Sequence, residues 1–216
     1  MKLALLLPGL VPDLPWFLAL GEADRVILDD CTPWSRKSRV HRYKIRTPMG
    51  IHWLGAPILR HAQEPLRSAR IDRSGSWYRE HLRAIQLNYR NSLYFDFLEA
   101  EIEARYEAIG QMDSLVEACD LMMRFWLRLL KLDITYEWAS QCQAWDRDPD
   151  QLAENLGADS LILEEDSRPY QRQPVRIPQE KMPHPEYRQH FGGFYSGCGI
   201  LDVVCSRGPE ALRSPF

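Results

Sequence analysis

The first thirty residues most strongly constrain how this chain can fold. Two short apolar runs, Leu3–Leu7 and Arg25–Leu28, are separated by a loop rich in proline and glycine and by a helix predicted over about Leu14–Gly21. Continuous apolar runs bounded by turn residues are typical of strands that are buried on both faces of a parallel sheet. Parallel neighbours need a crossover, which this helix would supply. Reactive groups collect at the carboxyl ends of such strands, which draws attention to the loop after the first run and to Asp30 after the second.

Composition argues against several classes of function. The 216 residues carry a net charge of −3, which disfavours a general electrostatic grip on nucleic acid, although six basic residues fall between Arg36 and Arg46. No apolar segment approaches the roughly 20 residues needed to span a bilayer. We therefore expect a globular protein with no nucleic-acid partner and no membrane span.

The cysteines indicate the compartment. They number five, with no C-x-x-C spacing, so reduced thiols in a cytoplasmic protein are the simplest interpretation. The alternative is that the first apolar run belongs to a secretory signal. Pro8, Pro12 and Pro15 interrupt that segment, and its removal would delete a predicted strand. We favour the cytoplasmic interpretation.

The segment after Asp30 predicts a β-hairpin. Runs at Val40–Ile45 and Ile51–Ala56 flank a Thr-Pro-Met-Gly tetrapeptide that suits a tight turn. Arg42 and Lys44 alternate on the first strand, so both would lie on one face. They could hold a phosphate or carboxylate group of a substrate, or the face could simply be solvated.

Three helices are predicted between residues 76 and 132. The first carries a stripe at four-residue steps, formed by Trp77, His81, Ile85 and Tyr89. The second should end at Gly110, and the third should begin with Asp113 as its N-cap. The third is apolar on most sides, so we expect it to be the most buried of the three.

The remaining third of the chain predicts shorter elements. We expect a strand over Ile134–Trp138, a helix capped by Asp148 with Gln151 as its capping-box partner, and a strand over Ser160–Leu163. Residues 164–183 read as a polar surface loop. The predicted architecture is a single α/β domain over residues 1–216, with a Rossmann-like, mostly parallel sheet, a β-hairpin and a helical subdomain at about 76–132.

Two residues are candidates for catalysis. His81 has a side chain whose ordinary pKa suits proton transfer, but a core histidine bonded to a backbone carbonyl would fit the same stripe. Asp30, which follows Asp29 at a strand end, could bind a cation or a substrate hydroxyl, or could cap a loop. No metal site is predicted, because Asp146 and Asp148 are better explained by helix capping and the sequence lacks the glycine and glutamate of an EF-hand. No cofactor is predicted either, since there is no P-loop and no G-x-G-x-x-G.

The order of these landmarks resembles the WbqC-like protein family over nearly the whole chain. The N-terminal match comprises LLPGLVPDLPWF, Ala23-Asp24 and VILDD, followed by the hairpin HRYKIRTPMGIHWLGAPI. The helix with Trp77, His81, Ile85 and Tyr89 comes next. The C-terminal match comprises Pro185 to Phe191, the segment ILDVV from Ile200, and Gly208-Pro209.

The resemblance implies a role in surface-polysaccharide (O-antigen type) biosynthesis, as a transferase that moves an acyl or aminoacyl group, such as glycyl, to a sugar. A small-molecule activated donor and a sugar-type acceptor would be its partners. Trp77, Tyr187 and Gln189 are implied as substrate-binding residues together with Arg42 and Lys44. Polar residues of the family pattern are replaced by Leu7, Gly197 and Gly199. The alternative is therefore a catalytically inert member that binds a ligand or a protein.

A shared site follows from the resemblance. Asp30, Arg42, His81 and Gln189 are far apart in sequence, yet they belong to one pattern. We expect them to line one pocket beside the Pro8 loop, with Trp77 as an apolar wall.

Overall fold

The computed structural model describes residues 1–59, 64–163 and 176–213. In chain order its elements are β1 (Lys2–Leu6), α1 (Leu14–Glu22), β2 (Arg25–Leu28), β3 (Arg42–Thr47), β4 (Gly50–Gly55), β5 (Ile58–Leu59), β6 (Arg70–Ile71), α2 (Trp77–Tyr89), α3 (Phe95–Gly110), α4 (Leu115–Leu129), β7 (Glu137–Trp138), α5 (Pro149–Leu156), β8 (Ser160–Leu163), β9 (Gln179–Glu180) and α6 (Ile200–Arg207). Residues 164–175 of the predicted surface loop lie outside the described residues.

The predicted parallel sheet is confirmed. Its five strands run in the order β7-β2-β1-β8-β9, and every neighbouring pair is parallel. β1 lies at the centre and pairs with β2 from Leu3 opposite Arg25 onward. Its side chains alternate between two cores: Leu3 and Leu5 pack towards α5, whereas Ala4 and Leu6 pack towards the helices and the hairpin. Both faces of the sheet are therefore buried, as the continuous apolar runs indicated.

The strand order creates a switch point between β1 and β8. From β1 the chain passes through α1 to β2 on one side, whereas β8 is followed by β9 on the other side. Connections that leave two neighbouring parallel strands in opposite directions open a crevice at their carboxyl ends, where α/β proteins bind ligands.

The hairpin is also confirmed. β3 and β4 pair antiparallel, with Thr47 opposite Gly50 at the turn. Tyr43 and Ile45 face the core, and Arg42 and Lys44 point to the opposite side of the strand. A second small antiparallel pair joins β5 with β6.

The helical cluster forms as predicted, with α2 packed on α3 and α3 on α4. Eight of the fifteen residues of α4 are buried, a larger share than in α2 or α3. Its N-cap is Ser114, whose side chain accepts a hydrogen bond from the Glu117 amide, so the prediction of Asp113 was wrong by one residue. The Asp113 carboxylate instead pairs with Arg73 at 3.0 Å, and its carbonyl accepts from Ile71.

α3 ends at Gly110, as predicted, but its C-cap is Gln111 and not Gly110. Packing requires a glycine at position 110, because an added Cβ would clash with the ring of Tyr78. Gly110→Ala should therefore lower the free energy of unfolding by about 1–3 kcal/mol through overpacking. Gly21→Ala is the matched control, because no described atom lies within 4 Å of its added Cβ. Urea unfolding should find the control neutral or stabilised by up to about 1 kcal/mol; equal effects at both glycines would contradict the packing explanation.

The last third of the chain differs from the prediction in three details. The strand near residue 134 is reduced to β7, and β9 adds a strand where a loop was expected. Asp148 caps α5 as predicted, but Gln151 is not its partner: the Asp148 amide donates to Asp146, and Gln151 bonds Asn155 one turn ahead. Among the described helices, none is long and apolar enough to cross a membrane.

Candidate functional site

A cleft of about 230 Å³ opens at the switch point between β1 and β8. Leu6 and Leu7 line it from the end of β1, and Ile162 and Leu163 from the end of β8. The loop after β1 and the first turns of α1 form its apolar side, and Trp16 contributes the largest side chain there. The cleft thus occupies the position at which α/β sheets bind ligands.

Hydrogen bonds from several elements fix the loop beside the cleft. The indole of Trp16 donates to the Leu7 carbonyl at 2.9 Å, and the indole of Trp126 on α4 donates to the Leu10 carbonyl at 3.2 Å. The Leu10 amide donates to the Val40 carbonyl at 3.1 Å. A loop held at both ends by buried donors presents its walls in one geometry, which favours a preformed site.

The hairpin supplies the basic side of the cleft. Arg42 and Lys44 both line it, as the alternation along β3 allows. The ring of Trp53 on β4 lies beneath both heads, 4.5 Å from the Arg42 guanidinium carbon and 5.3 Å from the Lys44 ammonium. Among the residues that the structure describes, neither head forms an ion pair. Arg42 donates to the Lys37 carbonyl at 2.7 Å, while its buried Nε has no described hydrogen-bond partner.

A second group of polar residues faces these cations. Arg39 lies 2.6 Å from the Asp13 carboxylate and donates to the Gly197 carbonyl at 3.1 Å. His184 approaches the same carboxylate oxygen as Arg39, with its Nε2 3.8 Å from Oδ2. All four residues line the cleft. It therefore combines an imidazole, a carboxylate and three basic side chains.

Gly197 borders the cations without filling the space beside them. Its φ is +74°, and an added Cβ would lie 3.1 Å from the Lys44 ammonium. Gly199 has a different role, because an added Cβ would lie 2.7 Å from Val11. Of the three positions that depart from the family pattern, Leu7 and Gly197 thus line the cleft and Gly199 packs against its loop.

His81 lies on the other side of β3 from Arg42 and Lys44. Its Nδ1 is 3.2 Å from the Tyr43 hydroxyl, which also bonds the Tyr106 hydroxyl. Trp77 packs edge-on against it, with the ring centroids 5.0 Å apart. Burial lowers the pKa of His81 to about 4, although a hydrogen bond to the Gly55 backbone opposes the shift. Neither His81 nor Trp77 is among the described residues that line the cleft.

Asp30 is occupied by a structural interaction. Its carboxylate accepts from the Ser140 amide at 2.9 Å and from the Ser140 hydroxyl at 2.6 Å. Asp29 accepts from the amides of Cys31 and Thr32, as a carboxylate does when it closes a turn. This pair follows β2 at the carboxyl edge, as predicted, but Asp30 does not line the described cleft.

Tyr187 and Gln189 meet at Asp202 on α6. The fully buried Asp202 carboxylate accepts from the Tyr187 hydroxyl at 2.7 Å, from the Gln189 amide at 2.9 Å and from the Tyr89 hydroxyl at 2.9 Å. The Tyr89 hydroxyl in turn accepts from the Arg46 amide on β3. These contacts join α2, β3, α6 and the C-terminal segment.

The structure therefore brings together only part of the predicted site. Arg42 and Lys44 lie in the cleft beside the Pro8 loop. The other five predicted residues contact protein groups elsewhere: Asp30, Trp77, His81, Tyr187 and Gln189. Sequence reasoning missed Asp13, Arg39 and His184, although the density of basic residues before β3 was a signal for Arg39. Gly197 was noted as a departure from the family pattern but was not predicted to line the cleft. In the ranges that the structure describes, no group of three or more histidine, cysteine, aspartate or glutamate side chains is arranged to hold a metal ion.

Comparisons with known proteins identify the family. A search of curated proteins found a relative in Mycobacterium tuberculosis (strain ATCC 25618 / H37Rv), described as "Uncharacterized protein Rv1507c". It is 24% identical over 229 residues, which cover 97% of this chain and 95% of the relative. No solved structure matches the chain. The model of the WbqC-like protein family matches residues 8–214, and the chain belongs to that family.

Proposed function

We propose that this protein is a transferase of surface-polysaccharide (O-antigen type) assembly that moves an acyl or aminoacyl group, such as glycyl, from an activated donor to a sugar. The observation that carries the proposal is the cleft at the switch point, whose lining combines Arg42, Lys44 and the imidazole of His184 with apolar side chains. Its position and mixed lining are typical of a small-molecule active site. Family membership supplies the polysaccharide context.

The proposed chemistry uses residues of the cleft. An amine or hydroxyl of the sugar attacks the acyl carbon of the donor, a C–N or C–O bond forms, and the leaving group departs with the bonding electron pair. His184, with Asp13 beside it, accepts the proton of the attacking group and returns it to the leaving group. Arg42 and Lys44 stabilise the negative charge that develops during the transfer.

This proposal assigns proton transfer to His184 instead of His81. His81 is buried beside Tyr43, and its low pKa makes it a weak base at neutral pH. We assign structural roles to Asp30, Trp77, Tyr187 and Gln189, because they contact other protein groups outside the cleft.

A catalytically inert member that binds a ligand or a protein is the second candidate. It is favoured by Leu7 and Gly197, which line the cleft where the family pattern has polar side chains. A cleft with fewer hydrogen-bond donors can retain a ligand while losing the stabilisation of a transition state.

A transfer assay separates the two candidates. The chain is incubated with acyl and aminoacyl thioesters or adenylates and with amino-sugar nucleotides, and products are detected by mass spectrometry. We expect a product whose rate of formation falls by about 10²–10⁴-fold in His184→Asn. His190→Asn is the matched control, because His190 does not line the described cleft.

The outcomes of this assay are distinct. Equal rates in His184→Asn and the wild type would contradict the assigned proton acceptor. No product with any donor, from a protein that still binds ligand in the cleft, would favour the inert member.

A further inference from the structure

We infer that the basic side of the cleft is a site for a doubly charged phosphoryl group, carried by either the donor or the sugar, and that Gly197 keeps the space for it. The inference rests on the proposed function in one respect, since it assumes that substrate binds in this cleft. It goes further by naming the chemical group that Arg42 and Lys44 recognise.

The charged side chains of the cleft do not balance one another. Arg39 is already neutralised by Asp13, at 2.6 Å. Arg42 and Lys44 are left with two positive charges and no ion pair among the residues described. A single carboxylate would leave one of these charges uncompensated in a partly buried cleft, whereas a phosphoryl dianion matches both.

The geometry of β3 places the two basic side chains next to each other. Residues two apart on a strand point to one face, so Arg42 and Lys44 approach the cleft side by side. The single Trp53 ring beneath both heads holds them in the same region. A phosphoryl group has enough acceptor oxygens to bond the guanidinium and the ammonium at the same time.

Gly197 leaves space for an anion because it has no side chain. Because a Cβ here would lie 3.1 Å from the Lys44 ammonium and 3.7 Å from the Arg39 guanidinium, any side chain would occupy the space that an anion needs. Asparagine tolerates positive φ better than other residues with a side chain. Gly197→Asn therefore tests the space with little backbone strain. Gly193 is a matched control, since its φ is +77° and no described atom lies within 4 Å of its added Cβ.

The volume restricts the size of the bound group. At about 230 Å³ the cleft is smaller than the roughly 300–1,000 Å³ of sites that enclose drug-sized ligands. It would therefore enclose the phosphoryl end of a ligand, and the remainder would extend out of the cleft.

Isothermal titration calorimetry at constant ionic strength tests the inference with inorganic phosphate and acetate. We expect phosphate to bind at least about tenfold more tightly than acetate. The affinity for phosphate should fall by at least about tenfold in each of the variants Arg42→Gln, Lys44→Gln and Gly197→Asn. Arg83→Gln, on the exposed side of α2, and Gly193→Asn should retain wild-type affinity. Adenosine 5′-monophosphate, which represents an adenylate donor, and glucose 1-phosphate, which represents the sugar, form two further arms. The ligand that binds more tightly indicates whether the donor or the sugar carries the phosphoryl group.

The contrary results are equally clear. Acetate binding as tightly as phosphate, or wild-type phosphate affinity in the three cleft variants, would overturn the inference. Unfolding midpoints are measured first; Lys44→Gln keeps the test decisive if Arg42→Gln fails to fold, because the Lys44 head has no described ion pair. Transfer activity without phosphate binding would remove this inference and leave the proposed function. Phosphate binding without transfer activity would leave this inference and remove the proposed function.

Discussion

Asp202→Ala is expected to lower the free energy of unfolding by about 3–5 kcal/mol. The carboxylate is fully buried and accepts hydrogen bonds from Tyr89, Tyr187 and Gln189. Alanine would leave three buried donors without their acceptor, and each unsatisfied group costs about 1–3 kcal/mol. Because the three donors come from α2 and the C-terminal segment, the loss should also loosen the attachment of that segment to the helical cluster.

Two controls make the Asp202 measurement specific. Asp202→Asn keeps the shape and one acceptor oxygen but directs an amide at existing donors, so urea unfolding should give an intermediate loss of stability. Asp96→Ala, on the exposed surface of α3, should change the free energy of unfolding by less than about 0.5 kcal/mol. An Asp202→Ala variant within about 1 kcal/mol of the wild type would show that the three donors find other partners.

Stability should fall as the pH drops below the ordinary pKa of histidine. Burial is the main cause that lowers the pKa of both His41 and His81 from 6.5 to about 4. Between those values the unfolded chain binds protons that the folded chain excludes, so stability is fully present above pH 6.5 and is lost as the pH falls. The expected loss is about 1.4 kcal/mol per pH unit for each histidine, or about 3 kcal/mol each by pH 4.

Urea unfolding between pH 7 and pH 5 measures this slope. His81→Phe removes one of the two groups and should make the slope shallower by about 1.4 kcal/mol per pH unit, whatever its effect at pH 7. A slope that does not respond to His81→Phe would mean that His81 takes up its proton over the same pH range in the folded and the unfolded protein. His81 would then be available for the catalytic role first considered for it.

Much of the fold could be predicted because it depends on local patterns. The apolar runs of β1, β2 and β8, the hairpin turn and the periodicity of α4 each reflect burial that repeats along a short segment. β7 and β9 were harder, since strands of two residues carry no periodicity of their own. Two helix caps were predicted wrongly because residues distant in sequence determine the local structure. The Asp113 carboxylate is paired with Arg73, and the ring of Tyr78 requires a glycine at position 110.

Only some of the residues that line the cleft were predicted from the sequence. The alternation of side chains along β3 explains why. Alternation places Arg42 and Lys44 on the cleft side, and the same alternation places Tyr43, with His81 behind it, in the core. The stripe on α2 is apolar apart from His81, which favours the core interpretation that was left open.

No local sequence pattern around His184 or Gly197 predicts that these two residues line the cleft. His184 and Gly197 reach the cleft only through contacts with Asp13 and Lys44, which lie more than a hundred residues away in sequence. The residues that carry the family resemblance are informative in a different way. Tyr89, Tyr187, Gln189 and Asp202 form one buried network, so their presence in the pattern is explained by the fold.

The most direct measurement is a crystal structure of the protein soaked with inorganic phosphate. It locates the bound anion without assuming a reaction. Our account predicts phosphate in the cleft between β1 and β8, in contact with the Arg42 guanidinium and the Lys44 ammonium and adjacent to Gly197. An anion bound on the Tyr43–His81 side of β3, or a cleft without phosphate at concentrations that saturate the protein in solution, would contradict it.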